Sequence, residues 1–402
     1  MTERLPEADW FRRDDLAGLV AALGAGNARY VGGAVRDTLL GIAVKDVDMA
    51  TPLLPEDVIA RLDSAKIRSV PTGIDHGTIT AVLPFGPVEI TTLRHDVSTD
   101  GRRATVAFAT DWREDAARRD FTINALYADP ADGTIHDYFG GLDDLAARKV
   151  RFIGDARERI REDHLRILRY FRFQARFGSQ PTDKQSEDAC SELAAALKGL
   201  SRERVGMEMM NLLALPDPAP TVARMAELGV LAVILPEADP AALAALVAEE
   251  RRQDVAPDPL RRLAALLPAE PTLAEQVAAR FRLSTAQKKR LATAAGRGPV
   301  PSHWEKRAAA GDTGLASARA LAYRLGRDEA LDRLVIAGTD IAPLDRWDIP
   351  VFPLKGGAVV ARGVAAGPEV ARILRAVEDR WVAEDFPGEA RIAELLDEAL
   401  GH

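Results

Sequence analysis

Apolar positions along the chain follow two rhythms, and the change between them falls near Leu145. Before it, short runs rich in β-branched residues predict strands: ARYVGG (28–33), KDVDMAT (45–51), GTITAVLP (77–84) and PVEITTLR (87–94). DDLAGLVAALG (14–24) and PEDVIARLDSA (55–65) space their apolar residues as helices do, the second opening on Pro55 with Glu56 and Asp57 in its first turn. After Leu145 the strand pattern nearly vanishes. ARERIREDHLRILRYFRFQARFG (156–178), CSELAAALKGLSRERVGMEMMNLLAL (190–215), TVARMAELGVLAVIL (221–235) and PAALAALVAEERRQ (240–253) all carry helical spacing. Pro-rich breaks at 216–220, 235–240, 255–260 and 296–302 divide this stretch into helical groups, and no repeat of 20 to 50 residues runs through it. The expected fold class is α+β, an α/β head followed by an all-α remainder.

A chain of 402 residues is too long for one ordinary core. Its 47% hydrophobic and 28% charged content is that of a globular protein. Cys190 is the only cysteine, which excludes an internal disulfide framework and a cysteine-built zinc site. The charged opening MTERLPEADWFRRDD gives no signal peptide, and no run reaches membrane-spanning length, so a cytoplasmic protein with no membrane partner is expected. A net charge of −8 argues against a protein that coats nucleic acid. Between Arg148 and Arg176, however, ten Arg and Lys face four Asp and Glu, a local basic stripe of the kind that attracts phosphate.

Candidate chemistry begins at Tyr30-Val31-Gly32-Gly33, a strand entering a tight turn in which glycine permits close backbone approach. The helix that follows would present unpaired N–H groups to a phosphate, with Arg36 a turn further in. The chain lacks both GxxxxGK[ST] and GxGxxG. Then comes Lys45-Asp46-Val47-Asp48; as a strand it puts Asp46 and Asp48 on one face. Two such carboxylates repel unless a cation joins them, and Mg²⁺ takes hard oxygen ligands together with substrate phosphates. Glu89, on the strand VEITTLR, is either a third ligand or a solvated carboxylate.

Three ordered blocks resemble bacterial CCA tRNA nucleotidyltransferases and the poly(A) polymerases of the same superfamily. They are YVGGAVRDTLLG with KDVD, Arg118-Arg119-Asp120-Phe121-Thr122-Ile123-Asn124-Ala125, and Glu162-Asp163-x-x-Arg166-x-x-Arg169-x-x-Arg172-Phe173. The resemblance implies a polymerase-β-like head over residues 1–147, then a helical neck (148–215), body (216–300) and tRNA-binding tail (301–402). It implies that Asp46 and Asp48 are catalytic and hold Mg²⁺. Gly32, Gly33, Arg36, Asp37, Arg119, Asp120, Asn124, Asp163, Arg166, Arg169 and Arg172 form the expected nucleotide site. The implied substrates are tRNA, CTP and ATP; no protein partner is implied.

The residues themselves support this chemistry. Asn124 can address a ribose 2′-OH or serve as a turn residue. On a single helix over 160–177, Asp163 and Arg166 stand three apart, so a carboxylate and a guanidinium lie edge to edge. Cytosine and adenine both offer an amino donor beside a ring-nitrogen acceptor, which such an edge can read; a plain salt bridge is the other reading. The expected reaction is template-independent addition of CCA to tRNA with release of pyrophosphate. The alternatives are poly(A) polymerase, a CC-only or A-only enzyme, or a non-catalytic tRNA-binding relative, which the intact DVD disfavours. The segment RHDVSTDGRR (94–103) is closer to the CCA type. A fused HD-type phosphohydrolase is excluded, since no His-Asp dyad occurs in the helical part.

Overall fold

The computed structural model describes residues 3–99, 104–296 and 315–401. The chain divides into two compact units, one of residues 1–201 with 224–234, the other of 202–223 with 235–402.

The first unit is built on a seven-stranded mixed sheet. Its strands are β1 (Arg29–Val31), β2 (Val47–Thr51), β3 (Ser69–Gly73), β4 (Thr78–Leu83), β5 (Gly86–Thr92), β8 (Leu126–Ala128) and β9 (Ile135–Asp137), in the order β3-β4-β5-β2-β1-β8-β9. All pairings are antiparallel except β2 with β5, which run parallel. Strands β6 (Arg94–Thr99) and β7 (Ala104–Phe108) form a separate hairpin; positions 100–103 of the expected loop lie outside the described residues.

Local sequence explains the helices that frame this sheet. Helix α1 (Asp14–Leu23) buries Leu16, Leu19 and Leu23 and stops at Gly24, whose φ of 86° a side chain would resist. Helix α2 (Gly33–Leu39) follows β1 through Gly32, and α3 (Pro55–Ser64) has the expected Pro and acidic first turn. Helix α4 (Trp112–Ala117) is capped by Asp111, which accepts from the Arg113 N–H at 2.9 Å.

After α5 (Gly141–Ala146) come α6 (Ala156–Glu162) and α7 (Arg166–Phe177), not the single helix over 160–177 that the spacing predicts. Asp163 ends α6 in extended conformation (φ −149°, ψ 105°), and its Oδ1 accepts from the Leu165 N–H at 3.0 Å. An Asp side chain that bonds the backbone two residues on competes with helix continuation, which accounts for the break. Helix α7 then buries Tyr170, Phe171, Phe173 and Phe177. Phe152 lies 4.9 Å from Phe121 and 5.8 Å from Tyr170, while Phe121 and Phe173 are 5.1 Å apart, ring centre to ring centre. Each fully buried ring contributes roughly 1.5–3 kcal/mol relative to exposure. This aromatic cluster fixes α7 against the segment that carries Arg119, Asp120 and Asn124.

In the second unit all described secondary structure is helical. One group of its helices surrounds a buried ionic cluster: Arg261 and Arg262 both bond Glu250, Arg261 also bonds Asp332, and Arg290 bonds Asp332 and Asp258. Trp381, Ile373, Val377, Leu395 and Leu396 form a second core in the C-terminal helices. Gly367 and Pro368 open a helix at Pro368–Ala383, as Gly-Pro-Glu suggests. Among the described residues no helix is long and apolar enough to cross a membrane.

Candidate active site

The acidic centre is assembled by strand pairing. In β2 only Asp48 reaches solvent, between the buried Val47 and Met49, and the parallel register sets it directly beside Glu89 of β5. Asp46 precedes the strand rather than standing in it. The Asp48 carboxyl nonetheless feels both acids. Crowding by protein, then Glu89, and to a lesser extent Asp46 lift its pKa to about 6, with Arg119 pulling the other way. Its exposure means that solvent reaches the group from one side while protein withholds solvent from the other. Negative charge that Arg119 offsets only in part, carried on hard oxygens, suits a hard divalent cation. Asp46, Asp48 and Glu89 do not converge into a ready three-ligand site: among the described residues no set of three or more acids, His or Cys is arranged to hold a metal alone. An ion bound by the acids would need further oxygens from substrate.

The glycine turn lies next to this centre. Gly32 adopts φ 70°, and its N–H donates to the Leu126 carbonyl at 3.1 Å. A Cβ there would stand 3.6 Å from the Asn124 carbonyl oxygen and 3.7 Å from Arg119 Nη1. Gly33 is the first helical residue and needs no special backbone angle. The side chain of Arg36, expected to face a phosphate, is instead buried. It pairs with Asp37 at 2.6 Å, donates to Asn124 Oδ1, and lies 4.1 Å from the centre of the Phe177 ring. Desolvation lowers its pKa, and Asp37 opposes that shift. Asp37 also bonds Arg176 of α7 at 3.3 Å, so this pair joins α2 to α7.

The Arg118–Asn124 segment forms two linked networks. In one, Asn124 Nδ2 donates to Asp120 Oδ1 at 2.9 Å, and Arg169 binds Asp120 Oδ2 through Nε and Nη2 at 2.8 and 2.5 Å. Burial raises the Asp120 carboxyl, but Arg169, Asn124 and the Phe121 N–H outweigh it and bring the pKa below the usual carboxylate value. Asp120 and Asn124 thereby brace the head against α7. In the other, Asp115 Oδ2 accepts from Tyr127 at 2.7 Å and from Arg119 at 3.2 Å, while Oδ1 accepts from Arg118 Nε at 2.9 Å.

Asp163 and Arg166 are close in sequence but do not share a helical face. Arg166 donates to Glu162 Oε2 at 2.6 Å and to the carbonyl oxygens of Arg159 and Arg118 at 2.9 and 3.1 Å. The helix break, absent from the sequence expectation, removes the common helical face on which that edge was to lie. Arg172 lies on α7 with its guanidinium 4.9 Å from the Phe173 ring centre. Asp115 and Tyr127 are absent from the sequence expectation, and Glu162 stands in its third block without a role. Asp115 was signalled by its spacing, three and four residues before Arg118 and Arg119. Tyr127 carried no local sign, because its part depends on β8 pairing with β1.

A polymerase-β-like mixed sheet bearing paired acids, a glycine turn and an arginine between them is the head of a nucleotidyltransferase. The family model described as "Poly A polymerase head domain" matches residues 28–151, and "Probable RNA and SrmB- binding site of polymerase A" matches 182–242. CCA tRNA nucleotidyltransferase 1, mitochondrial, of Danio rerio is 37% identical over 369 residues, covering 88% of this chain and 83% of that protein. Its Mus musculus counterpart is 34% identical, covering 88% and 82%. The crystal structure of the Bacillus stearothermophilus CCA-adding enzyme in complex with CTP superposes with a TM-score of 0.68 at 27% identity, over 96% of this chain and 97% of that one. The chain belongs to the family of CCA tRNA nucleotidyltransferases and poly(A) polymerases.

Proposed function

We propose that this chain adds C, C and A to the 3′ end of tRNA without a template, using CTP and ATP, with Mg²⁺ held at Asp46 and Asp48. The observation that carries the reading is the side-by-side register of Asp48 and Glu89, with Arg119 close to both Asp48 and the Gly32 turn. The primer 3′-hydroxyl gives up its proton to solvent as its oxygen forms a bond to the α-phosphorus, the α–β bridging P–O bond breaks, and pyrophosphate leaves with that bond's electron pair. When bound, Mg²⁺ supplies Lewis-acid charge to the α-phosphate and lowers the pKa of the attacking hydroxyl. The chain's own groups do the rest. Gly32 lets the backbone approach the phosphates, and Arg119 offsets the charge that grows on the departing pyrophosphate.

Base choice falls to Asp163 and Arg166, the carboxylate accepting from the amino group of C or A and the guanidinium donating to the ring nitrogen. Arg166 must exchange at least one of its present bonds to Glu162 or to the backbone for the base. Facing U or G, the same pair would leave polar groups opposed, a mismatch that can reject a substrate by roughly 10⁴. A cytoplasmic location is proposed separately from the activity; the Danio rerio and Mus musculus relatives are mitochondrial by name.

The head-domain description favours a second reading, poly(A) polymerase. Incubating purified protein with tRNA lacking CCA and each NTP singly separates the two. CTP alone is expected to add a short C extension, and CTP with ATP to complete CCA. Long tails from ATP alone, with CTP never used, would overturn the proposal.

A further inference from the structure

We propose that Asp115, assisted by Tyr127, is a positioning residue for nucleotide binding: it locks the Arg119 guanidinium in the orientation that faces the Gly32 turn. This rests on the reading above, in which Arg119 meets the triphosphate. Three nitrogens of Arg119 have separate surroundings. Nε donates to Tyr127 Oη at 3.1 Å and Nη2 to Asp115 Oδ2 at 3.2 Å. Nη1 is the atom that lies 3.7 Å from where a Gly32 Cβ would be. The two nitrogens that are held therefore set the direction of the third.

Tyr127 closes the triangle by donating to the same Asp115 oxygen at 2.7 Å, and Trp112 packs edge-on against its ring at 5.8 Å. Asp115 is 1% exposed, so its geometry is not averaged by solvent. Burial pushes its carboxyl up, but Arg119, Arg118 and the Tyr127 hydroxyl outweigh this and bring its pKa to about 2. It is a fixed anion at every working pH. Its Oδ1 also accepts, at a long 3.4 Å, from the Arg94 N–H at the base of the β6–β7 hairpin. A free arginine side chain samples many rotamers. Fixing it before the ligand arrives removes that ordering cost from binding.

A buried acid could also serve stability alone, and a double-mutant cycle tells the two apart. KM and kcat for CTP and for ATP are measured in Asp115→Asn, Arg119→Ala and the double variant. Asp115→Asn is expected to raise KM for both nucleotides by about tenfold, with a smaller change in kcat, because the phosphates are common to both substrates. In the Arg119→Ala background the same change is expected to add less than about twofold, since Asp115 then has nothing to position. Asp115→Glu, which keeps the charge, should recover part of the loss. Tyr127→Phe should give a smaller KM increase, and it carries the same cycle if Asp115→Asn does not fold.

A penalty equally large with and without Arg119 would overturn the inference. So would a normal KM in folded Asp115→Asn while Arg119→Ala is impaired, an outcome that leaves the nucleotide role of Arg119 standing. Unchanged KM values in Arg119→Ala would remove both the inference and that role.

Discussion

At the scale of single residues, Asp48 makes the most direct test of the acidic centre. Its pKa rises from 3.8 to about 6 through the protein crowded on one side of it and its acidic neighbours. In that window the folded head binds more protons than the unfolded chain does, so this group's contribution to stability falls as pH rises from about 4 through about 6. Cation binding has the opposite slope, because a carboxylate must lose its proton to act as a ligand. Magnesium-dependent nucleotide incorporation is therefore expected to fall as pH drops below about 6, and pH–rate profiles measure it. Glu89→Gln removes the larger of the two charge contributions and should move that inflection downward; an unmoved inflection would separate Glu89 from the centre. Replacing Asp46 and Asp48 together by Ala is expected to abolish incorporation while leaving the fold measurable by circular dichroism, and retained activity would defeat the metal reading.

At the scale of elements, much of the head is legible because strand and turn signals are local. The four runs read as strands in the sequence correspond to β1, β2, β4 and β5, and the two early helical runs to α1 and α3. What escaped was non-local or competitive. The parallel pairing of β2 with β5, which brings Glu89 to Asp48, joins strands with two others between them in the chain. The α6–α7 break hides because apolar residues Ile160, Ile167 and Leu168 continue the helical rhythm across it, and no Gly or Pro marks the interruption. The motif predicts that Arg36 clamps a phosphate from a turn inside the helix, whereas the aromatic face of α7 takes it in. The cluster that does this is also what holds α7 to the Arg119 segment. Phe152→Ala, which removes a ring that is 1% exposed, should cost about 3–5 kcal/mol in denaturant unfolding. A loss below about 1 kcal/mol would mean that the cluster is not the joint described.

At the scale of the whole molecule, charge is divided unevenly. The net charge of −8 coexists with a basic stretch from Arg148 to Arg176, so tRNA binding is expected to weaken with salt along a modest negative log–log slope. A slope near zero would count against an electrostatic contribution from that stretch. The second unit uses charge differently, inside its core. Arg262 is 1% exposed and donates to Glu250 at 2.8 Å and to the carbonyl oxygens of Leu213, at 2.7 Å, Leu215 and Pro216. Glu250 is shared with Arg261, which is itself tied to Asp332 at 3.0 Å. Such a cluster is worth little against a well-packed apolar substitute, but breaking it from one side leaves charge buried without a counter-ion. Glu250→Ala takes the carboxylate from Arg262 and leaves Arg261 with Asp332 alone, and is expected to lower stability by about 3–5 kcal/mol. Because the pairs are out of water, added salt should recover little of that loss. The acidic centre and Arg119 belong to the other unit, so KM for CTP measured well below the variant's unfolding transition should stay at the wild-type value. A raised KM under those conditions would show that the two units are energetically coupled, and a variant as stable as the parent would show that the buried arginines find other partners.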